Sequence, residues 1–325
     1  MGVSMSREID LIKRSCILCG RCTEACPSAR HGGIDPMEIM AGGESDLSMC
    51  IMCGTCSQTC FRSDPFTVIR YMIYMEQGLS VSETFRRTGF VREPAADRCL
   101  EPEWSGDGAY VSLGCVVNSM APYIEFAASV AMKAVGVDAS RIQNEVCCLH
   151  PVQFMGMSQH EKRSVRKGML DGAGGKPVVT LCAGCSEEYE AIDPGVSHII
   201  PFLHGRLDRL PRFENTVKVG MEPGCSAAPY GKQMRAVLEA MNCEVVNQEF
   251  GCCGKVAPVA KALMEEREAE CAGADLIVVG CPNCYTKFDA IEGGLPVVHI
   301  AELVAMAAGR PESLAFHRIP VPDVR

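Results

Sequence analysis

At 325 residues, 47% apolar and 22% charged, the chain has the composition of a globular protein and room for two or three domains. A formal net charge of −9 without a long basic run argues against nucleic acid as a partner. The opening MGVSMSREID has no apolar signal core, and nowhere do about 18 consecutive apolar residues occur. The expectation is a cytoplasmic protein that meets a membrane only through a partner, in which 21 cysteines read as metal ligands rather than disulfides.

The first segment reads Cys16-x-x-Cys19-x-x-Cys22-x-x-x-Cys26-Pro27. The second reads Cys50-x-x-Cys53-x-x-Cys56-x-x-x-Cys60, with Phe61 in place of the proline. This doubled run is the bacterial two-cluster ferredoxin pattern, in which three cysteines of one run hold a cube and the fourth crosses to the other. The spacing assigns Cys16, Cys19, Cys22 and Cys60 to one [4Fe–4S] cluster and Cys50, Cys53, Cys56 and Cys26 to a second. A pair of zinc sites fits eight cysteines at this repeat poorly.

A helix is expected next, with Asp64 as cap, Pro65 at its first position and Gly78 as its stop. Val68, Ile69, Met72, Ile73 and Met75 give it an apolar face. Ser80 and Glu83 form a capping box for a second short helix ending near Gly89. Residues 91–108 read as a linker. The expected organisation is therefore a ferredoxin-like domain over 1–90, the linker, and two lobes over 109–210 and 211–325.

Beyond residue 109 strands and helices alternate. AYVSL (109–113) and PVVTL (177–181) read as strands leading to Cys115 and Cys182, with an apolar helix over 121–135. The pattern then repeats. VKVGM (217–221) leads to Cys225, 228–241 is helical, and DLIVVG (275–280) delivers Cys281. Each half closes on a strand bearing a histidine, His198 or His299. The fold class is α/β: a helical ferredoxin-like domain followed by two related lobes with parallel sheets. Because strand ends are where such folds place their sites, the cysteines at four strand ends are expected in one crevice between the lobes.

Each lobe carries five cysteines in one order: single, adjacent pair, CxxC. The first set is Cys115, Cys147, Cys148, Cys182 and Cys185; the second is Cys225, Cys252, Cys253, Cys281 and Cys284. A cube needs four thiolates, so five suit it badly. A vicinal disulfide would be strained and would leave the CxxC without a role, and zinc would leave one ligand idle. A special iron–sulfur site, either an unusual cluster or a cube with a redox thiol beside it, uses all five. His150, two residues after the first pair, reads either as a proton donor to a leaving thiolate or as a hydrogen-bonding neighbour of the site. Lys255, two residues after the second, reads as a cation acting on a cluster or a substrate anion, or as a solvated lysine. Cys99, Cys243 and Cys271 read as ordinary thiols. No GxGxxG occurs, so electrons must come from a partner.

SLGCVVNSMAPYIEFAASVAMKAVGV, the GCCG pair, TLCAGC and VVGCPNC resemble the cysteine-rich CCG domains of the heterodisulfide reductase B subunit, and the ferredoxin run resembles its C subunit. The resemblance implies a C–B fusion in which two cubane [4Fe–4S] clusters relay electrons to two noncubane [4Fe–4S] clusters. Each five-cysteine set holds one of these, and a disulfide is cleaved between them. The family substrate is the coenzyme M–coenzyme B heterodisulfide of methanogens. The implied donor is a flavoprotein resembling the A subunit, together with a hydrogenase or formate dehydrogenase, or a cytochrome b in membrane-linked versions. The chain departs from that family at Cys147-Cys148-Leu149-His150-Pro151 and at Glu222-Pro223-Gly224-Cys225. Competing functions are an electron relay in a flavoprotein dehydrogenase or thiol-dependent fumarate reductase, and a scaffold that activates another metalloenzyme.

Overall fold

A computed structural model describes residues 2–248, 251–254 and 257–324. Two compact units divide the chain. One comprises Met1–Val81, Pro151–Ser158 and Cys252–Glu266; the other comprises Ser82–His150, Gln159–Gly251 and Arg267–Arg325.

The first unit is helical. Its two longest helices, Gly2–Arg14 and Pro65–Gln77, contribute Ile9, Val68, Ile69 and Ile73 to a core that also takes in Ile34 and Ile39. The 65–77 helix begins and ends as its sequence dictates. Asp64 accepts from the Thr67 amide at 3.0 Å, Pro65 opens the first turn, and Gly78 leaves it in the left-handed region at φ 56°. Met75 is exposed rather than part of the apolar face. At about 100° per residue it lies roughly 200° around the helix from buried Ile73. The two cysteine loops repeat in backbone as they do in sequence. Leu18 and Met52 take φ 54° and 57°, Gly20 and Gly54 take φ 80° and 78°, and each glycine starts a short helix, Arg21–Glu24 or Thr55–Thr59.

The second unit holds the two lobes. The short helix Glu83–Thr88 ends at Gly89 as expected, but its cap is Ser82, which accepts from the Phe85 amide at 3.2 Å, not Ser80. The cap must stand immediately before the first helical residue, and only Ser82 does. In the first lobe the strands are β1 (Ala109–Ser112), β2 (Ala139–Arg141), β3 (Val178–Thr180) and β4 (Val196–His198). In the second they are β5 (Val217–Glu222), β6 (Cys243–Val245), β7 (Leu276–Val279) and β8 (Val297–His299). All pairings are parallel. The orders β2-β1-β3-β4 and β6-β5-β7-β8 are the same topology twice, as the internal repeat requires. The central strands β3 and β7 are buried throughout, as parallel strands covered on both faces must be. Cys115 and Cys225 follow β1 and β5, and Cys182 and Cys281 follow β3 and β7, so strand ends deliver four of the cysteines.

Candidate metal centres

In the first unit Cys16, Cys19, Cys22 and Cys60 line one cavity, together with Ile17, Arg21, Phe61 and Arg62. The other four ferredoxin cysteines also gather. Burial, then the charges of Cys53, Cys50 and Cys26, push the Cys56 thiol upward, and burial followed by Cys53 does the same to Cys26. Backbone amides point at sulfur in both halves: Leu18 to Cys16 and Met52 to Cys50 at 3.4 Å, and Ser63 to Cys60 at 3.2 Å. All eight donors are sulfur, which suits iron–sulfur clusters.

In the second unit the first five-cysteine set is drawn together. Thiol hydrogen bonds link Cys147 to Cys115 and Cys148, Cys148 to Cys185, and Cys185 to Cys182. Cys182 then reaches Cys281 of the other lobe. Hydrogen bonds from Cys147 and Cys185 hold Cys148 well below the usual thiol range, and those from Cys185 and Cys281 do the same for Cys182. Their donors Cys147 and Cys185 are pushed up in turn. Loading a metal cluster here must displace these shared protons. In the second set, the loop of Cys225 lies against the Cys281–Cys284 turn. A Cβ on Gly224 would stand 3.1 Å from Cys281 Cβ and 3.3 Å from Cys284 Sγ. Gly114 holds the same place before Cys115, with a would-be Cβ 3.1 Å from Cys185 Sγ. Both glycines have positive φ, 76° and 91°, so they supply the turn as well as the close approach. Cys252 and Cys253 are buried and belong to the first unit. There Gly254 is a glycine of necessity, since a Cβ would meet Ala260 Cα at 2.5 Å.

Two buried carboxylates that sequence reasoning did not single out brace these loops. Glu145 accepts from the Gly114 amide and the Ser112 hydroxyl, both at 2.8 Å, and pairs with Arg141 at 3.2 Å. It thereby ties the approach to Cys147 to the loop of Cys115. In the other lobe Glu222, three residues before Cys225, accepts from the Gly251 amide at 3.1 Å and lies 3.4 Å from Arg267. The same brace is built from opposite ends. The signal was present as an acid shortly before a cysteine in NEVCC and MEPGC. His150 is held by Glu188, which lies 3.0 Å from Nδ1. Glu188 also takes Arg166 at 2.6 Å, and Arg166 Nε donates to the Cys148 carbonyl at 2.6 Å. The His150 ring lies beside Gly184 in the Cys182–Cys185 turn. Lys255 lies outside the described residues. Cys243 and Cys271 are buried thiols pushed up to about 12, and Cys99 is exposed.

The histidines at the strand ends are wholly buried and cap the helices that follow, accepting from the Ile200 and Ala301 amides at 3.3 Å. Each also reaches into the opposite lobe. His299 Nε2 meets the Leu181 carbonyl at 3.1 Å, immediately before Cys182. His198 faces the Gly280 carbonyl, immediately before Cys281, without a hydrogen bond of normal geometry. Tyrosines repeat the exchange. Tyr123 Oη bonds Tyr285 Oη at 2.6 Å, and Tyr230 Oη donates to Glu190 at 2.9 Å.

Comparison with known proteins agrees with this arrangement. Residues 9–61 match the 4Fe-4S dicluster domain, and residues 110–188 and 219–289 match the cysteine-rich CCG domain. The B subunit of the ferredoxin/F420H2-dependent CoB-CoM heterodisulfide reductase of Methanosarcina acetivorans is 24% identical over 279 residues, covering 65% of this chain and 93% of that protein. The B subunit of the ferredoxin:CoB-CoM heterodisulfide reductase of Methanosarcina mazei is 23% identical over the same shares. The B chain of the fumarate reductase (CoM/CoB) of Methanothermobacter marburgensis is 23% identical over 321 residues, covering 90% of this chain and 61% of that protein.

Proposed function

We propose that this chain, an iron–sulfur electron-transfer protein whose dicluster ferredoxin region and CCG domains make it similar to heterodisulfide reductase B subunits, cleaves a small disulfide. The substrate class is one such as the coenzyme M–coenzyme B heterodisulfide. Its redox partner is a flavoprotein resembling the A subunit of that reductase. On this reading residues 1–90 are the wire, 91–108 the linker, and 109–210 and 211–325 the two reacting lobes.

The observation that carries the reading is the run of five thiols from Cys115 to Cys182, continued to Cys281 of the opposite lobe. Five contiguous sulfurs exceed what a cube takes, which supports a noncubane cluster on this set and, by the repeat, another on Cys225, Cys252, Cys253, Cys281 and Cys284. Cys16, Cys19, Cys22 and Cys60 would hold one cubane cluster, and Cys50, Cys53, Cys56 and Cys26 the other. When bound, the clusters supply electrons singly for a cleavage that needs two. The chain's own residues do the rest. Gly114 and Gly224 let the single-cysteine loops close on the CxxC turns, Glu145 fixes the Gly114 loop to the approach to Cys147, and Glu222 holds the Gly251 amide. With Nδ1 engaged by Glu188, His150 presents its other nitrogen as the proton donor to a departing thiolate. Lys255 is proposed as a cation beside the second pair.

One observation favours a second reading. The fumarate reductase relative aligns with 90% of the chain, so the lobes would relay electrons in a thiol-linked fumarate reductase whose carbon chemistry lies elsewhere. Reduced viologen plus heterodisulfide, given to the reconstituted chain, separates the two. Cys148→Ser and Cys253→Ser should each abolish disulfide reduction while the ferredoxin signals persist. Substantial turnover in either variant removes the two-lobe mechanism and leaves the relay.

A further inference from the structure

The two ferredoxin loops are copies in sequence and backbone, yet they differ in what they show to solvent. Ile17 is 55% exposed, whereas its counterpart Ile51 is 1% exposed. Leu18 is 53% exposed and Cys19 is exposed, while Met52 and Cys53 are half-buried. Phe61, 65% exposed, stands where the other half has Pro27. Among the described residues only five large apolar side chains are more than half exposed. Three of them, Ile17, Leu18 and Phe61, belong to this loop and to the turn after Cys60. A grouping of this kind marks an interaction site where scattered residues would not.

Charge divides the same way. Arg21 and Arg62 are exposed and line the cavity of Cys16, Cys19, Cys22 and Cys60, with the Arg21 guanidinium 5.5 Å from the Phe61 ring centre. Their counterparts in the second half are Thr55 and the buried Ser28, both neutral. In a chain of net charge −9, two cations line this cavity, and the equivalent positions of the second half carry none.

We propose that this face is the docking surface for an electron-donating protein with an acidic rim around an apolar edge, and that electrons enter at the Cys16, Cys19, Cys22 and Cys60 site rather than at its copy. The proposal rests on reading that cavity as a cluster site and not on what the lobes do afterwards. Each encounter oxidises the donor by one electron and reduces the site by one, so two encounters provide the pair a disulfide requires.

Stopped-flow reduction of the reconstituted full chain, without any disulfide present, tests it. The probe donor is a reduced, acidic two-cluster ferredoxin, with dithionite as the small reductant. The wild-type rate with ferredoxin should fall as salt rises, and Arg21→Glu/Arg62→Glu should lower it about tenfold or more at low salt. Leu18→Glu, at an exposed tip, should weaken ferredoxin binding measured by titration, and Met75→Glu, exposed but outside the cavity, should not. Dithionite, a small anion, should still reduce all four proteins fully, and Arg21→Glu/Arg62→Glu should slow it far less than it slows ferredoxin. Ferredoxin reduction at the wild-type rate in the double variant, or equal slowing with dithionite, overturns the proposal. Failure of disulfide cleavage would leave these rates unchanged, so the two readings fail separately.

Discussion

Gly114 and Gly224 each stand one residue before the single cysteine of a set, and each combines a positive φ with cysteine atoms 3.1–3.3 Å from where its own Cβ would go. Gly114→Ala therefore costs about 1–3 kcal/mol in backbone strain and displaces Cys185. The expected outcome is loss of about four irons from the first lobe, with the ferredoxin electron paramagnetic resonance unchanged; iron analysis beside that spectrum checks it. Glu145 predicts a different failure. Glu145→Ala leaves Arg141 and the Gly114 amide without their carboxylate, and breaking such a buried pair costs about 3–5 kcal/mol, so urea unfolding of the lobe should move markedly to lower concentration. Cysteine spacing made the ligand candidates legible in sequence, because ligand geometry restricts spacing directly. Glu145, Glu222 and Arg166 were not legible, because a brace needs only a charge in reach and the fold decides what is in reach.

At the scale of elements, the strands ending at Cys115, Cys182, Cys225 and Cys281 lie where the apolar runs put them, since central parallel strands must be apolar on both faces. The edge strands β2 and β6 were missed. Ala139–Arg141 and Cys243–Val245 are three residues each, and only their partners β1 and β5 give them strand character. The 65–77 helix was legible to its ends because Asp64, Pro65 and Gly78 act locally. Asp64→Ala should cost about 1 kcal/mol and lower the melting temperature of the ferredoxin region by a few degrees, read by circular dichroism. The histidines closing β4 and β8 carry a pH dependence. Burial, then the neighbouring His299, pulls His198 down to about 3, whereas unfolded histidine titrates near 6.5. Between those values the unfolded chain binds the extra proton, so stability falls as pH falls through the window and the contribution is complete above it. Unfolding free energies from urea titrations at pH 7 and 5.5 should differ by up to about 1.4 kcal/mol per pH unit less in His198→Asn than in the wild type.

For the whole molecule, eighteen motif cysteines in four sets should hold about sixteen irons, and anaerobic iron and sulfide analysis giving only about eight would confine clusters to the ferredoxin cysteines. The two lobes are copies in topology, and the copying extends to how each is finished. His299 and Tyr285 of the later lobe are satisfied by Leu181 and Tyr123 of the earlier, while Tyr230 is satisfied by Glu190. The later half thus keeps three groups whose partners lie in the earlier, and the Tyr123 hydroxyl of the earlier half meets Tyr285 of the later, much as the two chains of an obligate dimer share partners. Neither half should then reach its native state alone. Severed and expressed apart, each would leave a buried histidine or tyrosine without its acceptor, and mixing the two pieces should restore a fold that neither reaches alone. Duplication made the halves alike, and this exchange is what keeps them from parting.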